Sequence, residues 1–302
     1  MKIKFFGTAA GVPTSTRECS AAMITVGESK YFIDLGAPVF TRLVREGIST
    51  DGIRAVFFTH IHSDHALYTP DFIKGINERE EYTFRSVRYY VPEDHFIRLV
   101  TNYYNALIGD ISAERNLFFR YGEGVVYSDE NITVRAMPTG HMAGVSRPAY
   151  SFLVEGDGVS VLFSGDLSSS LSENDFPRAA LDGRVDLLIL EYAHFDVEDM
   201  IPYLTECKIG RLIFNHISRF EEKKPLIDAL SSSGRFSFPI SAAYDGEEIT
   251  IYYEDNFYRD RTRTSRKGQI PYRNDAGGRT GYIFYRRRRS HNKRDAQARQ
   301  AF

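Results

Sequence analysis

Apolar and polar positions fall into short alternating runs broken by glycine, with helical stripes set between them. Lys2–Phe6 alternates and stops at Gly7. Ala21–Val26 and Tyr31–Leu35 flank Gly27-Glu28-Ser29 and predict a hairpin. Ala55–Thr59 predicts a buried strand. Thr133–Met137, Tyr150–Val154, Val159–Phe163, Leu187–Leu190, Leu212–Asn215 and Glu248–Tyr253 predict further strands. A helix is expected over Val39–Arg45, closed by Gly47. A second opens at Pro92, where Phe96, Leu99, Val100, Tyr103 and Leu107 follow the i, i+3, i+4, i+7 stripe. Asp196 caps a third that runs to about Cys207, and a fourth lies near Glu222–Leu230. Strands with helices between and after them, and no internal repeat, predict an α/β fold of sheets flanked by helices.

Composition narrows the class. No run of 18 apolar residues exists, so no membrane span is expected. Two cysteines, Cys19 and Cys207, cannot build a disulfide framework, and the start lacks the apolar region of a signal peptide. A cytoplasmic protein is the expectation. The formal charge of −2 conceals a split: residues 258–302 carry 14 basic against three acidic residues, a net +11, which leaves −13 on residues 1–257. The expected organisation is one domain over 1–257 and a basic, disordered tail over 258–302. Tyr272, Tyr282, Phe284 and Tyr285 interleave with the tail's arginines, which suits RNA binding through stacking and charge.

The chemistry concentrates in Thr59-His60-Ile61-His62-Ser63-Asp64-His65, just after an apolar strand. Four candidate ligands within six residues are hard to explain as packing, since an apolar core disfavours an aspartate between histidines. Imidazole and carboxylate donors suit a borderline divalent ion such as zinc. His141, Asp166 and His216 each follow a predicted strand in a short polar turn, so five of the eight histidines stand at strand ends. His194 follows the strand Leu187–Leu190 and is a candidate general acid, with Glu191 as a partner for an imidazole. His95 and His291 read as surface residues.

The ordered series His-x-His-x-Asp-His, His, Asp, His resembles that of the metallo-β-lactamase superfamily of binuclear metallohydrolases. Gly7-Thr8-Ala9-Ala10-Gly11-Val12-Pro13-Thr14, His216-Ile217-Ser218-Arg219-Phe220 and Ala243-Tyr244-Asp245-Gly246-Glu247-Glu248-Ile249 resemble its ribonuclease Z branch, over about residues 1–253. The resemblance implies a four-layer αββα sandwich. It implies two divalent metal ions, zinc first, with manganese or iron as alternatives. His60, His62 and His141 would hold one ion, Asp64, His65 and His216 the other, and Asp166 would bridge them. Two such ions lower the pKa of a shared water to give a bridging hydroxide nucleophile, which Asp64 orients.

Bacterial ribonuclease Z carries a tRNA-gripping arm between the third histidine and the bridging aspartate. Here that interval is 25 positions, too short for the arm. An acidic body is also a poor surface for a polyanion. The expected activity is therefore hydrolysis of a small-molecule or nucleotide phosphodiester. The alternatives are a ribonuclease Z-like RNA endonuclease helped by the tail, a thioester or lactone hydrolase, and a non-enzymatic nucleic-acid-binding protein. An open site of this kind often borrows a partner's surface in such families, so a homodimer is a further expectation.

Overall fold

The computed structural model describes residues 1–78, 86–169, 171, 175–254 and 280–286. The chain opens with β1 (Lys2–Gly7), β2 (Ala21–Val26) and β3 (Ser29–Ile33), each antiparallel to the one before. Helix α1 (Val39–Arg45) leads to β4 (Ile53–Phe57). Helices α2 (Ser63–Ala66) and α3 (Thr69–Asn77) precede β5 (Val87–Val91), and α4 (Asp94–Leu107) precedes β6 (Asn116–Arg120). These last three strands run parallel to β3. A second sheet begins as an antiparallel meander of β7 (Gly124–Ser128), β8 (Ile132–Pro138), β9 (Tyr150–Gly156) and β10 (Val159–Phe163). It continues in parallel through α5 (Ala179–Asp182), β11 (Leu187–Tyr192), α6 (Val197–Glu206), β12 (Leu212–Ile217), α7 (Phe220–Ser232) and β13 (Ile240–Ala242). β14 (Glu248–Glu254) returns to β1, and β15 (Thr280–Arg286) pairs parallel with β14. The sheet orders are β15-β14-β1-β2-β3-β4-β5-β6 and β13-β12-β11-β10-β9-β8-β7.

Strand periodicity sorts the apolar side chains into three packed layers. Phe5, Tyr31 and Phe57 of the first sheet meet Val134, Phe152, Val161, Ile189 and Ile213 of the second between the sheets. Their neighbours Phe6, Phe32, Val56 and Phe58 point the other way, onto Leu43 of α1, Phe72 of α3 and Phe96 of α4. Leu162, Leu188, Leu190, Leu212 and Phe214 cover Ala180, Met200, Leu204 and Ile227 of α5, α6 and α7. Both faces of each sheet are covered, so the central strands read as continuous apolar runs. This is a four-layer αββα sandwich. Phe57 sits at its centre, stacked on Tyr90 at 5.1 Å and edge-on to Tyr127 at 5.4 Å. Truncating a core aromatic of this kind costs about 3–5 kcal/mol.

Several local expectations shift. β3 stops at Ile33 because Asp34 turns the backbone to φ +62°. β4 stops at Phe57, since the Thr59 amide bonds the Asp34 side chain instead of a strand. Glu93, not Pro92, precedes α4, and that helix buries Phe96, Val100 and Tyr104. Leu99, Tyr103 and Leu107 of the expected stripe are 61%, 52% and 66% exposed, so the apolar face of α4 is wider than the face it buries. Asp196 does cap α6, in a reciprocal capping box with Asp199.

Within the tail, Thr280–Arg286 forms β15, and the rest of the expectation about residues 258–302 falls outside the described residues. Among the described residues no helix is long and apolar enough to cross a membrane.

Candidate metal centre

The candidate ligands come from strand ends of both sheets. His60 lies three residues past β4, and His62 precedes α2, which carries Asp64 and His65 on its single turn. Gly36 makes room for that turn: a Cβ there would strike the Asp64 carbonyl. His141 follows β8, and Asp166 follows β10 after Gly165, whose φ of +58° turns the chain inward. His216 lies within β12. There the register against β11 slips between Glu191 paired with Asn215 and Tyr192 paired with Ile217. His216 is the extra residue of this bulge, at φ +47°, and the bulge aims its ring at the site.

The seven expected ligands meet in one cluster. His60 Nε2 lies 3.0 Å from His62 Nδ1, and His141 Nε2 lies 3.2 Å from that same atom. His216 Nε2 and His65 Nε2 stand 3.7 and 3.8 Å from Asp64 Oδ2. Asp166 lies between the groups. Its Oδ2 is 3.7 Å from His60, 3.6 Å from His141 and 3.3 Å from His216, and its Oδ1 is 3.4 Å from His65. Two donors each about 2.1 Å from a tetrahedral zinc stand about 3.4 Å apart, so these spacings fit ligand edges. Neither Asp166 Oδ1 nor His65 Nε2, both buried, makes a directed hydrogen bond within the protein. Buried polar atoms left this way are costly unless something else satisfies them. His60, His62 and His141 form one potential metal-binding group, and Asp64, His65 and His216 another.

Protonation follows from this crowding. Burial, then the neighbouring His65, pushes His60 well below the ordinary histidine value. Burial would also lower His65, but Asp166 and Asp34 hold it well above that value. Burial would raise Asp166, but His216, His65 and His60 hold its carboxyl well below the usual range. A divalent cation held by these residues would supply positive charge beside Asp166 in place of a proton.

Outer contacts fix the rings. Asp34 accepts from His65 Nδ1 at 2.7 Å, from the Thr59 hydroxyl at 2.9 Å and from the Thr59 amide at 2.8 Å. Thr59 Oγ1 also meets His60 Nδ1 at 3.1 Å, and His141 Nδ1 meets the Leu167 carbonyl at 3.2 Å. Asp175 accepts from the amides of Gly140 and Ser168, tying the His141 loop to the Asp166 loop. The Gly11 amide donates to Asp64 Oδ2 at 2.7 Å. Asp34, Thr59 and Asp175 were missed in the sequence. The only signal for Asp34 was an acid at the end of an apolar strand, and Asp175 follows no strand at all.

Residues 32–217 match the family model described as the beta-lactamase superfamily domain. The chain belongs to that superfamily. It is similar to Ribonuclease Z of Mycolicibacterium paratuberculosis, 24% identical over 187 residues, 55% of this chain and 62% of that protein. It is also similar to Ribonuclease Z of Pseudomonas putida, 39% identical over 75 residues, 24% of each. The chain thus spans 24% to 62% of the length of these curated relatives. Among solved structures, it resembles the metallo-beta-lactamase fold protein YhfI from Bacillus subtilis, at a TM-score of 0.66, 16% identity and coverage of 82% and 98%. Human short-form tRNase Z follows at 0.63, 17%, 83% and 99%. A diphosphatase of the PhnP family gives 0.60, 19%, 82% and 97%. At these identities the likenesses speak for the fold.

The segments that resemble ribonuclease Z within this superfamily meet beside His216. Ala9 bridges Ile217, Thr8 Oγ1 donates to Asp245 at 2.6 Å, and the Arg17 guanidinium lies 3.9 Å over the Phe220 ring. His194 stands at the mouth, its Nε2 4.0 Å from Asp166 Oδ2 and its Nδ1 2.8 Å from Glu191 Oε1. Burial lowers His194, but the hydrogen bond to Glu191, the charge of Glu191 and the charge of Asp166 together outweigh it and raise the ring above its ordinary value. Glu191 also accepts from the amides of Leu167, Ala193 and His194. His95 is an α4 surface residue, 3.1 Å from Glu93, and His291 lies outside the described residues. Between His141 and Asp166 the chain is filled by a short 3₁₀ turn, β9 and β10, with no inserted arm.

Proposed function

We propose that this protein is a binuclear metal-dependent phosphodiesterase acting on a small-molecule or nucleotide phosphodiester. The observation that carries this reading is the pair of donor groups around Asp166, beside a histidine held by Glu191. In it, His60, His62 and His141 would hold one divalent ion and Asp64, His65 and His216 the other, with Asp166 shared, and the nitrogen and oxygen donors favour zinc. Two such ions supply polarisation of the phosphoryl oxygens and a water of lowered pKa. The chain does the rest. Asp64, fixed by the Gly11 amide, orients the attacking water. Glu191 accepts from His194 Nδ1–H and its charge favours the imidazolium form, whose Nε2–H faces the site and supplies the proton for the leaving oxygen.

Two features favour a small substrate. The interval between His141 and Asp166 has no arm, and residues 1–257 carry −13. The curated relatives named Ribonuclease Z support RNA as the second reading. Turnover of bis(p-nitrophenyl) phosphate by metal-loaded protein, with Asp166→Ala as control, tests the first. Activity that vanishes in the variant supports it. Two bound metals without turnover, together with cleavage of precursor tRNA, would replace it with the second.

A further inference from the structure

A ligand imidazole usually gives its second ring nitrogen to a carboxylate, carbonyl or water, which fixes its tautomer. Three buried rings here follow that rule: His65 on Asp34, His60 on Thr59 and His141 on the Leu167 carbonyl. His216 does not. Its Nδ1 is buried and meets no acceptor of the protein. The preceding side chain shows the complementary defect, since Asn215 Oδ1 is buried and meets no donor.

Successive residues of a strand ordinarily face opposite ways. The bulge at His216 breaks that rule, and both residues line one cavity, which His65, Asp166, Asp34 and Thr59 line as well. The cavity measures about 30 Å³ and is also lined by Ser20, Ser164 and Glu191, with Ile33, Phe163 and Ile189 as its apolar wall. One water needs roughly 10–15 Å³ and two to four polar partners. The space and the unmet groups match that requirement.

We infer that this cavity binds an ordered water that accepts from His216 Nδ1–H and donates to Asn215 Oδ1, making Asn215 a positioning residue for the second metal group. The water holds the proton on Nδ1 and so keeps the Nε2 lone pair toward Asp64 and Asp166. It also restrains a ring carried on a left-handed backbone. The inference rests on the reading of His216 as a ligand, and its test separates the two.

The experiment has two arms. In a high-resolution crystal structure of the full chain, density for a water within hydrogen-bond distance of both atoms is expected, and a dry cavity overturns the inference. In solution, zinc binding to the wild type, Asn215→Leu and Asn215→Asp is titrated against a competing chelator. Asn215→Leu should bind the weaker of two ions 10–100-fold less tightly, and Asn215→Asp, which keeps an acceptor, should restore it. Two ions bound by Asn215→Leu with wild-type affinity would overturn the water bridge and leave the metal site standing. A wild type that binds no zinc would sink the metal reading itself. If Asn215→Leu fails to fold, judged by its melting curve, the crystallographic arm decides.

Discussion

Asp34 gives the sharpest test of how the protein prepares its ligands. It is 2% exposed and accepts three hydrogen bonds, two from Thr59 and one from His65 Nδ1. Asp34→Ala leaves the Thr59 amide and the His65 ring without an acceptor. At roughly 1–3 kcal/mol for each buried orphan, the loss is about 2–6 kcal/mol of stability, enough to unfold a marginal domain. Asp34→Asn behaves differently. Asparagine tolerates the φ of +62° and fills the same volume. Its Oδ1 can keep the Thr59 amide, but its NH₂ then faces His65 Nδ1. That ring can accept only by moving its proton to Nε2, the atom 3.4 Å from Asp166 Oδ1. A protonated Nε2 cannot ligate. The expected result is a folded protein whose second ion binds at least 10–100-fold more weakly, about 1.4–2.7 kcal/mol. Chelator-competed zinc titration reads the affinity, and urea unfolding of metal-free protein reads the fold. Wild-type affinity for both ions in Asp34→Asn would refute the tautomer argument.

Other outcomes follow from the same contacts. Asp175→Ala frees the Gly140 and Ser168 amides, so stability should drop by roughly 1–3 kcal/mol per unmet amide. The ion held by His141 should loosen with it, and a variant with unchanged metal affinity would show that the two loops need no tie. His194→Ala should slow alkyl phosphodiesters by about 10²–10⁴-fold while sparing p-nitrophenyl esters, whose leaving group needs no proton. Equal losses on both would remove His194 as the acid. Burial would raise the Asp129 carboxyl, but hydrogen bonds from Tyr31, Tyr127 and the Ile132 and Asn131 amides hold it below its ordinary value. A depressed folded pKa means stability present above the unfolded value and lost as pH falls through the folded one. The gap in urea midpoint between wild type and Asp129→Asn should therefore close on acidification below about pH 4, and a pH-independent gap would refute it.

The candidate ligands that the structure gathers into one cluster were legible because each sits where an apolar run ends in a polar turn, a juxtaposition packing does not explain. The residues that aim them were not. Asp34 looks like any acid after a strand, and its role depends on Thr59 and His65 arriving from 25 and 31 residues away. The bulge that turns His216 inward exists only as a mismatch between β11 and β12. β5, β6 and β7 were missed because Val87–Val91, Asn116–Arg120 and Gly124–Ser128 are five-residue runs, too short to declare a period. The stripe expected on α4 held Phe96 and Val100 of the buried trio but took Leu99, Tyr103 and Leu107 in place of Tyr104, since they satisfy helical spacing as well.

The direction of β15 bears on what the basic tail can do. Its register places Thr280 beside Glu248 and Arg286 beside Glu254. Glu248 lies at the ligand end of the sheet, because β14 is antiparallel to β1, and β1 runs into the loop where Ala9 bridges Ile217. Seven residues at about 3.3 Å each therefore carry the chain roughly 20 Å away from the metal centre as it reaches its arginine run. β15 covers the outer edge of β14 and is itself the edge strand of the sheet. Deleting residues 258–302 should thus leave kcat/KM for a small phosphodiester unchanged. A fall in small-substrate kcat/KM on deletion would mean that the tail reaches the site after all.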